Sequence, residues 1–426
     1  MNSKPIELSY KALNKTDYFL VLLLVLFAGL GNSIFRDIRY SIIPIAIVFF
    51  VFVKKRRKFT KSGNKIYGVF ILYIFAYFIK YWGEFDPMFT YRIFTYITFS
   101  YLVVSVVGYN FFKAYENVIL FFALISLPLF LLEATTGSIY PLLYKFQGII
   151  HIPYGYKNYT NVLLFSIRVN PDFGYLRNCG FCWEPGGFAN FLILAIIINL
   201  ARNKFNLKNK RLWVLLIAMI TTFTTTGYMA LMVISIWYLY NVKFERRIIL
   251  IPVVILLAIY ISTLPFMAEK IKSLSADPEY ELNRVASISY QTGNAYSIGR
   301  FAGFLMNMKD FKQHPIIGYG GHGEETWQAR YNIQVASING LGRWMAMFGS
   351  IGIFIFFYTY IKSLKNLSLL YNFKKPIILL GVILVLGFAF GLIQSALFFA
   401  FMLSFLILPA SKNITLKKNM ITTYEC

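Results

Sequence analysis

LWVLLIAMITTFTTTGYMALMVISIWYLYNV, residues 212–242, is the stretch on which the topology of this chain turns. Read as one tilted helix it crosses a membrane once. Read as two helices folded at Thr224-Thr225-Thr226-Gly227, each half has about 15 residues, or ~22 Å at 1.5 Å per residue, short of a ~30 Å hydrocarbon core. The choice decides on which side every later segment falls. One helix would place the basic clusters Lys243 to Arg247, Lys362 to Lys375 and Lys412 to Lys418 outside, against the rule that Lys and Arg gather on the cytoplasmic face. Two half-length helices meeting near the outer surface keep them inside.

The rest of the chain has the same character. Of 426 residues 58% are apolar and only 14% are charged, against roughly 25% in ordinary globular domains, and the mean hydropathy is +0.59. Such a chain lacks the polar side chains to cover a soluble surface, which excludes a cytosolic globular protein. Apolar runs of roughly 17 to 25 residues centre near residues 26, 46, 73, 100, 125, 194, 219, 234, 256, 350, 383 and 401. All are read as helices, because in lipid a short continuous segment satisfies its backbone only as a helix. The first run, Phe19 to Leu30 after Lys4, Lys11 and Lys15, resembles a signal peptide, but no A-x-A-like cleavage site follows and a second run begins a few residues on. The expected fold is therefore all-α and polytopic, with about twelve transmembrane helices, both termini cytoplasmic and two large outer loops.

The net charge of +24 divides unevenly on this topology. The inner segments hold 26 of the 42 basic residues and five of the 18 acidic ones, net +21, which leaves +3 outside. Most of the charge is thus a topology signal beside anionic lipid, not a nucleic-acid surface. Five regions follow: a five-helix membrane part over residues 1–133, a first outer loop over 134–186, helices six to nine over 187–264, a second outer loop over 265–339, and three final helices over 340–426. The second loop contains Arg300 to Lys312, whose Phe301, Phe304, Leu305, Met308 and Phe311 recur with helical spacing. That predicts an amphipathic helix on the membrane or the bundle, ended by Pro315 and Gly318.

The residues that carry chemistry are expected in the two outer loops. Arg177 opens RNCGFCWEPGGFANFL (177–192), in which Glu184 and Pro185 fall at a helix start, where unpaired N–H groups form an anion site; the alternative is that Glu184 only offsets the helix dipole. Arg300 opens the amphipathic helix, and the glycine-rich HPIIGYGGHGEE (314–325) follows. Arginine's planar fork suits bidentate contact with phosphate, so Arg177, Arg300 and Arg343 are candidates to converge on a diphosphate, against the plainer reading of arginines snorkelling at the interface. His151, His314 and His322 all fall in the outer loops; His322, followed by Glu324 and Glu325, is the better proton acceptor of the three, His314 having the sequence of a helix end. The run Thr221 to Thr226, with Thr225 at its middle, either satisfies backbone carbonyls or lines a sugar site. Trp183, Tyr154, Tyr156, Tyr319 and Trp327 are aromatic platforms available to a glycan. Cys179 and Cys182 are small loop residues, bridged or not, without the surroundings of a redox motif, and nothing has the spacing of a metal-ligand set.

The order of these elements resembles the O-antigen and capsule polymerases of the Wzy type and the related O-antigen ligases of bacterial envelopes. The resemblance rests on RNCGFCWEPGGFANFL before a span, the turn TTFTTTGY (221–228), GRFAGFLMNMKDFKQHPIIGYG (299–320) and ASINGLGRWMAMFGSIGIFIFF (336–357), and covers about residues 175 to 355. It implies glycosyl transfer without a metal or other cofactor, on the periplasmic face of the inner membrane, between undecaprenyl-diphosphate-linked glycans, with the bilayer and a chain-length regulator as further partners. Arg177 and Arg300 would hold the donor's diphosphate; Arg343, His314, Thr225 and Asn339 would help bind substrate; and the base would be His322, His314 or Glu184. Where ligases carry a His-Asn pair this chain has Ile338 and Asn339. That departure favours a polymerase over a ligase. A lipid-linked oligosaccharide flippase is the alternative from another class, and it would need charge inside the spans.

Overall fold

The computed structural model describes residues 13–29, 41–59, 61–82, 86–145, 159–161, 164–168, 175–245, 277–389 and 395–407, with scattered positions between 247 and 263. The expected span near residue 256 falls almost wholly outside them, as do His151, Tyr154 and Tyr156. The described chain is mostly helical. Its longer helices are α1 (Lys15–Gly29), α2 (Ile42–Lys54), α3 (Lys61–Lys80), α4 (Pro87–Val107), α5 (Phe111–Thr136), α6 (Ile139–Lys145), α7 (Pro185–Arg202), α8 (Lys210–Ile220), α9 (Thr225–Asn241), α10 (Pro278–Thr292), α11 (Arg300–Gln313), α12 (Gly340–Tyr371), α13 (Ile378–Ala389) and α14 (Ala396–Ile407). Two small sheets amend the all-α expectation. β1 (Tyr159–Asn161) pairs antiparallel with β2 (Ser166–Arg168), and β3 (Tyr296–Ile298) pairs parallel with β4 (Val335–Ser337).

Three helical stretches among the described residues are long and apolar enough to cross a membrane: Pro87–Thr136, Pro185–Arg202 and Gly340–Tyr371. The first is two helices, α4 and α5, separated at Gly108 with φ 68°. Their packing is that of a protein whose outer solvent is lipid. Phe50, Leu72 and Phe354 on α2, α3 and α12 are each about two-thirds exposed, a waste of apolar surface in water and none in hydrocarbon. The centre is α7, buried from Gly187 to Ala201 against α5, α8 and α9. Polar groups at helix ends are paired. Glu116, buried at the start of α5, takes the Arg202 guanidinium and, at 2.7 Å, the Asn199 amide, while Asp17 meets Lys55 at 3.0 Å.

Residues 212–242 do form two helices, α8 and α9. The break is earlier than the sequence suggested, at Thr221 to Thr224, so Thr225 and Gly227 lie inside the first turn of α9. Phe223 closes the turn in the left-handed region at φ 44°. Thr221 and Thr222 return their hydroxyls to the Ala218 and Met219 carbonyls, which settles the ragged end of α8.

The helix expected at Arg300 to Lys312 is α11, but its buried face is not the aromatic one. Ala302, Gly303, Met306, Asn307 and Asp310 are buried, toward α10, β4 and α12, whereas Phe301 and Phe304 reach across to Phe388 of α13 with centroids 5.0 and 5.7 Å apart. Small and polar residues face inward because the backbone of β4 passes close. A Cβ on Gly303 would lie 2.6 Å from Ser337 Oγ, and that hydroxyl instead accepts from the Asn307 amide at 2.9 Å.

The glycines of HPIIGYGG serve packing. α12 is broken at Gly349, φ 63° and ψ −162°, which frees carbonyls and N–H groups inside a membrane helix. Residues 315–320 take them up: Tyr319 and Gly320 donate to the Ala346 and Met347 carbonyls, and Ser350 and Ile351 donate to the Pro315 and Ile316 carbonyls. A Cβ on Gly349 would overlap the Ile316 carbonyl, and one on Gly318 the Met347 carbonyl. This segment is therefore a wedge that holds the chain after α11 against the broken helix.

Candidate functional site

Arg177 lies in the loop before α7, anchored by its neighbour. Asn178 is fully buried, donates its amide to Ser126 Oγ at 3.2 Å and Thr221 Oγ1 at 3.0 Å, and accepts from the Gly180 N–H at 2.9 Å. Arg177 Nε then donates to the Thr222 carbonyl at 3.2 Å. The threonine turn thus fixes Arg177 through its backbone, and Thr225 is half-buried at the start of α9, directly after that turn.

Seven residues on, Glu184 is the N-cap residue of α7, with Pro185 in its first turn, as the sequence predicted. Its carboxylate makes no capping hydrogen bond; Oε1 lies instead 3.4 Å from where a Cβ on Gly186 would stand.

Arg300 begins α11. Its Nε donates to the Ala389 carbonyl at 2.9 Å, at the C-terminal end of α13, where the helix dipole favours a cation. Its backbone is pinned as well. Buried Asn339 donates its amide to the Arg300 carbonyl at 3.2 Å and caps α12 by accepting from the Gly342 N–H at 2.6 Å. Just before it, the Gly299 N–H donates to Glu281 Oε1 at 2.8 Å.

Three of the expected charges act on one another electrostatically. Burial is the main influence on the Arg300 guanidinium and works against its charge; Glu184 supports that charge and Arg177 opposes it. Arg177, Glu184 and Arg300 therefore share one electrostatic environment, although Arg177 and Arg300 are 123 positions apart. Two guanidiniums and one carboxylate make these three side chains net positive together. Such a site is complementary to a ligand with at least one negative charge.

The histidines go elsewhere. His314 caps the far end of α11, and 14 residues of helix rise ~20 Å, so His314 is removed from Arg300 by the length of the helix. Its Nδ1 lies 3.1 Å from Lys80 Nζ and its Nε2 3.5 Å from Glu325 Oε2. Burial and then Lys80 lower its pKa below the ordinary histidine value. His322 belongs to the same cluster, its ring 5.1 Å from that of Tyr81, which also faces His314 at 6.3 Å. Lys80 completes it by donating to the Gly318 carbonyl at 2.6 Å. Arg343 is exposed and bonded to the Tyr319 side chain. Between the two ends of α11 the buried Asp310 accepts from the Trp327 N–H at 2.6 Å, and burial pushes its carboxyl up to about 6. Cys179 and Cys182 are buried, unbridged thiols. Among the described residues no group of three His, Cys, Asp or Glu is placed to hold a metal ion.

Sequence reasoning missed Asn178, Glu281, Asp310 and the Ala389 carbonyl. Asn178 had a signal, a second polar residue beside Arg177 directly before an apolar span. Glu281 and Ala389 had none, because their roles depend on the return of distant chain to the start of α11.

Residues 211–343, which include the threonine turn, Arg300 and Asn339, match the sequence model of a family described as O-antigen ligase. The match supports membership in the O-antigen polymerase and ligase family. No curated protein matches the chain significantly. The family segment contains one of the two arginines; Arg177 and Glu184 precede it and reach it through the Thr222 carbonyl and the charge of Arg300.

Proposed function

We propose that this protein is a glycosyltransferase that polymerises undecaprenyl-diphosphate-linked oligosaccharide repeats, for O-antigen or capsule, on the periplasmic face of the bacterial inner membrane. What supports the reading is the mutual electrostatic influence of Arg177, Glu184 and Arg300, which come from distant parts of the chain. A hydroxyl of the acceptor glycan attacks C1 of the donor's first sugar. The bond from C1 to the phosphate oxygen breaks, its electrons pass to the diphosphate, and the hydroxyl proton goes to Glu184. Charge growing on the leaving diphosphate is what two fixed guanidiniums stabilise. Each is held through Nε to a helix-end or turn carbonyl, which fixes the plane of the guanidinium before the ligand arrives.

Glu184 is preferred as base to His322 and His314 because it lies in the electrostatic environment of Arg300 and they lie at the opposite end of α11. Polymerase is preferred to ligase because Ile338 stands where the ligase histidine would be, and its neighbour Asn339 is buried and occupied in holding Arg300 and capping α12. Flippase is disfavoured because Asp17 and Glu116, the buried acids of α1 and α5, are each paired with a basic side chain. Deletion of the gene tests the reading: the expected phenotype is single repeat units on the cell surface. Polymer detached from its anchor would indicate a ligase, and loss of all surface repeats a flippase.

A further inference from the structure

A cavity of about 450 Å³ opens between α3, α4, α12 and α14, and the glycosyl-transfer reading makes no use of it. Its body is apolar and aromatic, with Ile97, Trp344, Phe348 and Met402 in the wall. Its polar groups are mostly occupied: Tyr73 donates its hydroxyl to the Ile317 carbonyl at 3.1 Å, and Thr359 to the Ile355 carbonyl at 2.6 Å. The exceptions are Lys65 and Lys362, two exposed ammonium groups that both line it. Among the described lining residues they are the charged ones, and both are positive.

The lysines lie at one end of the cavity. Lys65 is in the first turns of α3 and Lys80 ends that helix ~22 Å away, bonded to Gly318 of the second outer loop. Lys362 is 13 residues past the break at Gly349, or ~20 Å along the second half of α12. Both ammonium groups therefore lie at the end of the cavity away from Tyr73 and Phe348, whose rings are 5.7 Å apart beneath the wedge of residues 315–320. Its side is open to lipid through Val69 and Phe354, 48% and 70% exposed.

We propose that this cavity binds one anionic phospholipid, its phosphate between Lys65 and Lys362 and one acyl chain in the aromatic channel. The apolar wall takes hydrocarbon, the paired lysines supply charge where a headgroup ends, and a bilayer presents anionic headgroups at the depth of snorkelling lysines. The volume is in the range of a small-molecule pocket, which holds a single chain and not the many isoprene units of a polyprenyl carrier. Lys362 is also steadied over the Tyr358 ring, 5.6 Å from its centroid, which keeps it at the mouth.

The test is lipid retention by the intact protein, moved from detergent into nanodiscs of equal phosphatidylethanolamine and phosphatidylglycerol and read by native mass spectrometry. The expected result is one phosphatidylglycerol per chain, retained about tenfold over phosphatidylethanolamine. K65Q/K362Q, which alters exposed side chains only, abolishes that preference, and V69W, which closes the mouth, removes the bound lipid. Unchanged phosphatidylglycerol retention in K65Q/K362Q overturns the proposal, as does a co-purified polyprenyl phosphate in its place.

Discussion

The two ends of α11 carry opposite kinds of polar chemistry. At the start, Arg300 is pinned by Asn339 and Ala389 and shares its surroundings with Arg177 and Glu184. At the finish, His314 is packed among Lys80, Glu325 and Tyr81 with its backbone committed to the wedge. One end concentrates cations whose mutual repulsion a ligand can relieve. The other pairs its charges with groups already present and stitches the chain after α11 to α3 and to the break in α12. The difference teaches that a histidine expected in an outer loop is not thereby a base; its partners decide.

Substitutions can break this comparison at either end. The largest effect is expected at the start. Arg300→Ala and Arg177→Ala should each lower transfer between lipid-linked repeats by about 10²- to 10³-fold, while H322N changes it less than about tenfold, as measured on purified protein with the variants at equal membrane levels. Comparable losses in both groups would erase the distinction. Glu184→Gln should follow with a loss of about 10²-fold, checked in the same assay by the rate at saturating donor.

At the wedge, Gly349→Ala forces a Cβ against the Ile316 carbonyl at a positive φ. It should destabilise the protein by about 3 kcal/mol, seen as a lowered melting temperature in detergent, with a smaller effect on rate per folded molecule.

Asp310 sharpens the middle of the helix. Its carboxyl is raised from 3.8 to about 6, so between those values the folded protein binds more protons than the unfolded one and stability falls as pH rises. Two units correspond to about 3 kcal/mol. Asp310→Asn should therefore melt higher than wild type at pH 8 and lose that advantage near pH 4. His314 has the opposite sign. Its lowered pKa means that the unfolded chain takes up the proton first, so stability falls as pH drops below about 6.5, and His314→Asn should flatten that limb by a smaller amount.

What was legible in the sequence divides along the same line. Period and hydropathy show α11, the paired half-helices α8 and α9, and Glu184 and Pro185 at the head of α7, because each depends on neighbours a few residues away. The buried face of α11 was not legible. Phe301 and Phe304 look like a core stripe, and only the close pass of Ser337 makes Gly303 and Asn307 the inward side. The pairing of Arg177 with Arg300 was an expectation from residue type. Its partners, the carbonyls of Thr222 and Ala389, are backbone groups that no side-chain pattern encodes. The wedge of residues 315–320 was not legible either, because the break at Gly349 whose backbone it pairs with lies about thirty positions further along the chain.

The central claim is that Arg177 and Arg300 act on one diphosphate. A double-mutant cycle on the binding of undecaprenyl diphosphate, with Arg177→Gln, Arg300→Gln and the pair titrated calorimetrically in detergent, tests it directly. Two clamps on one ligand predict that the combined loss differs from the sum of the single losses by about 1 kcal/mol or more. Additivity within about 0.5 kcal/mol would mean that the two arginines serve separate ligands and would contradict the account.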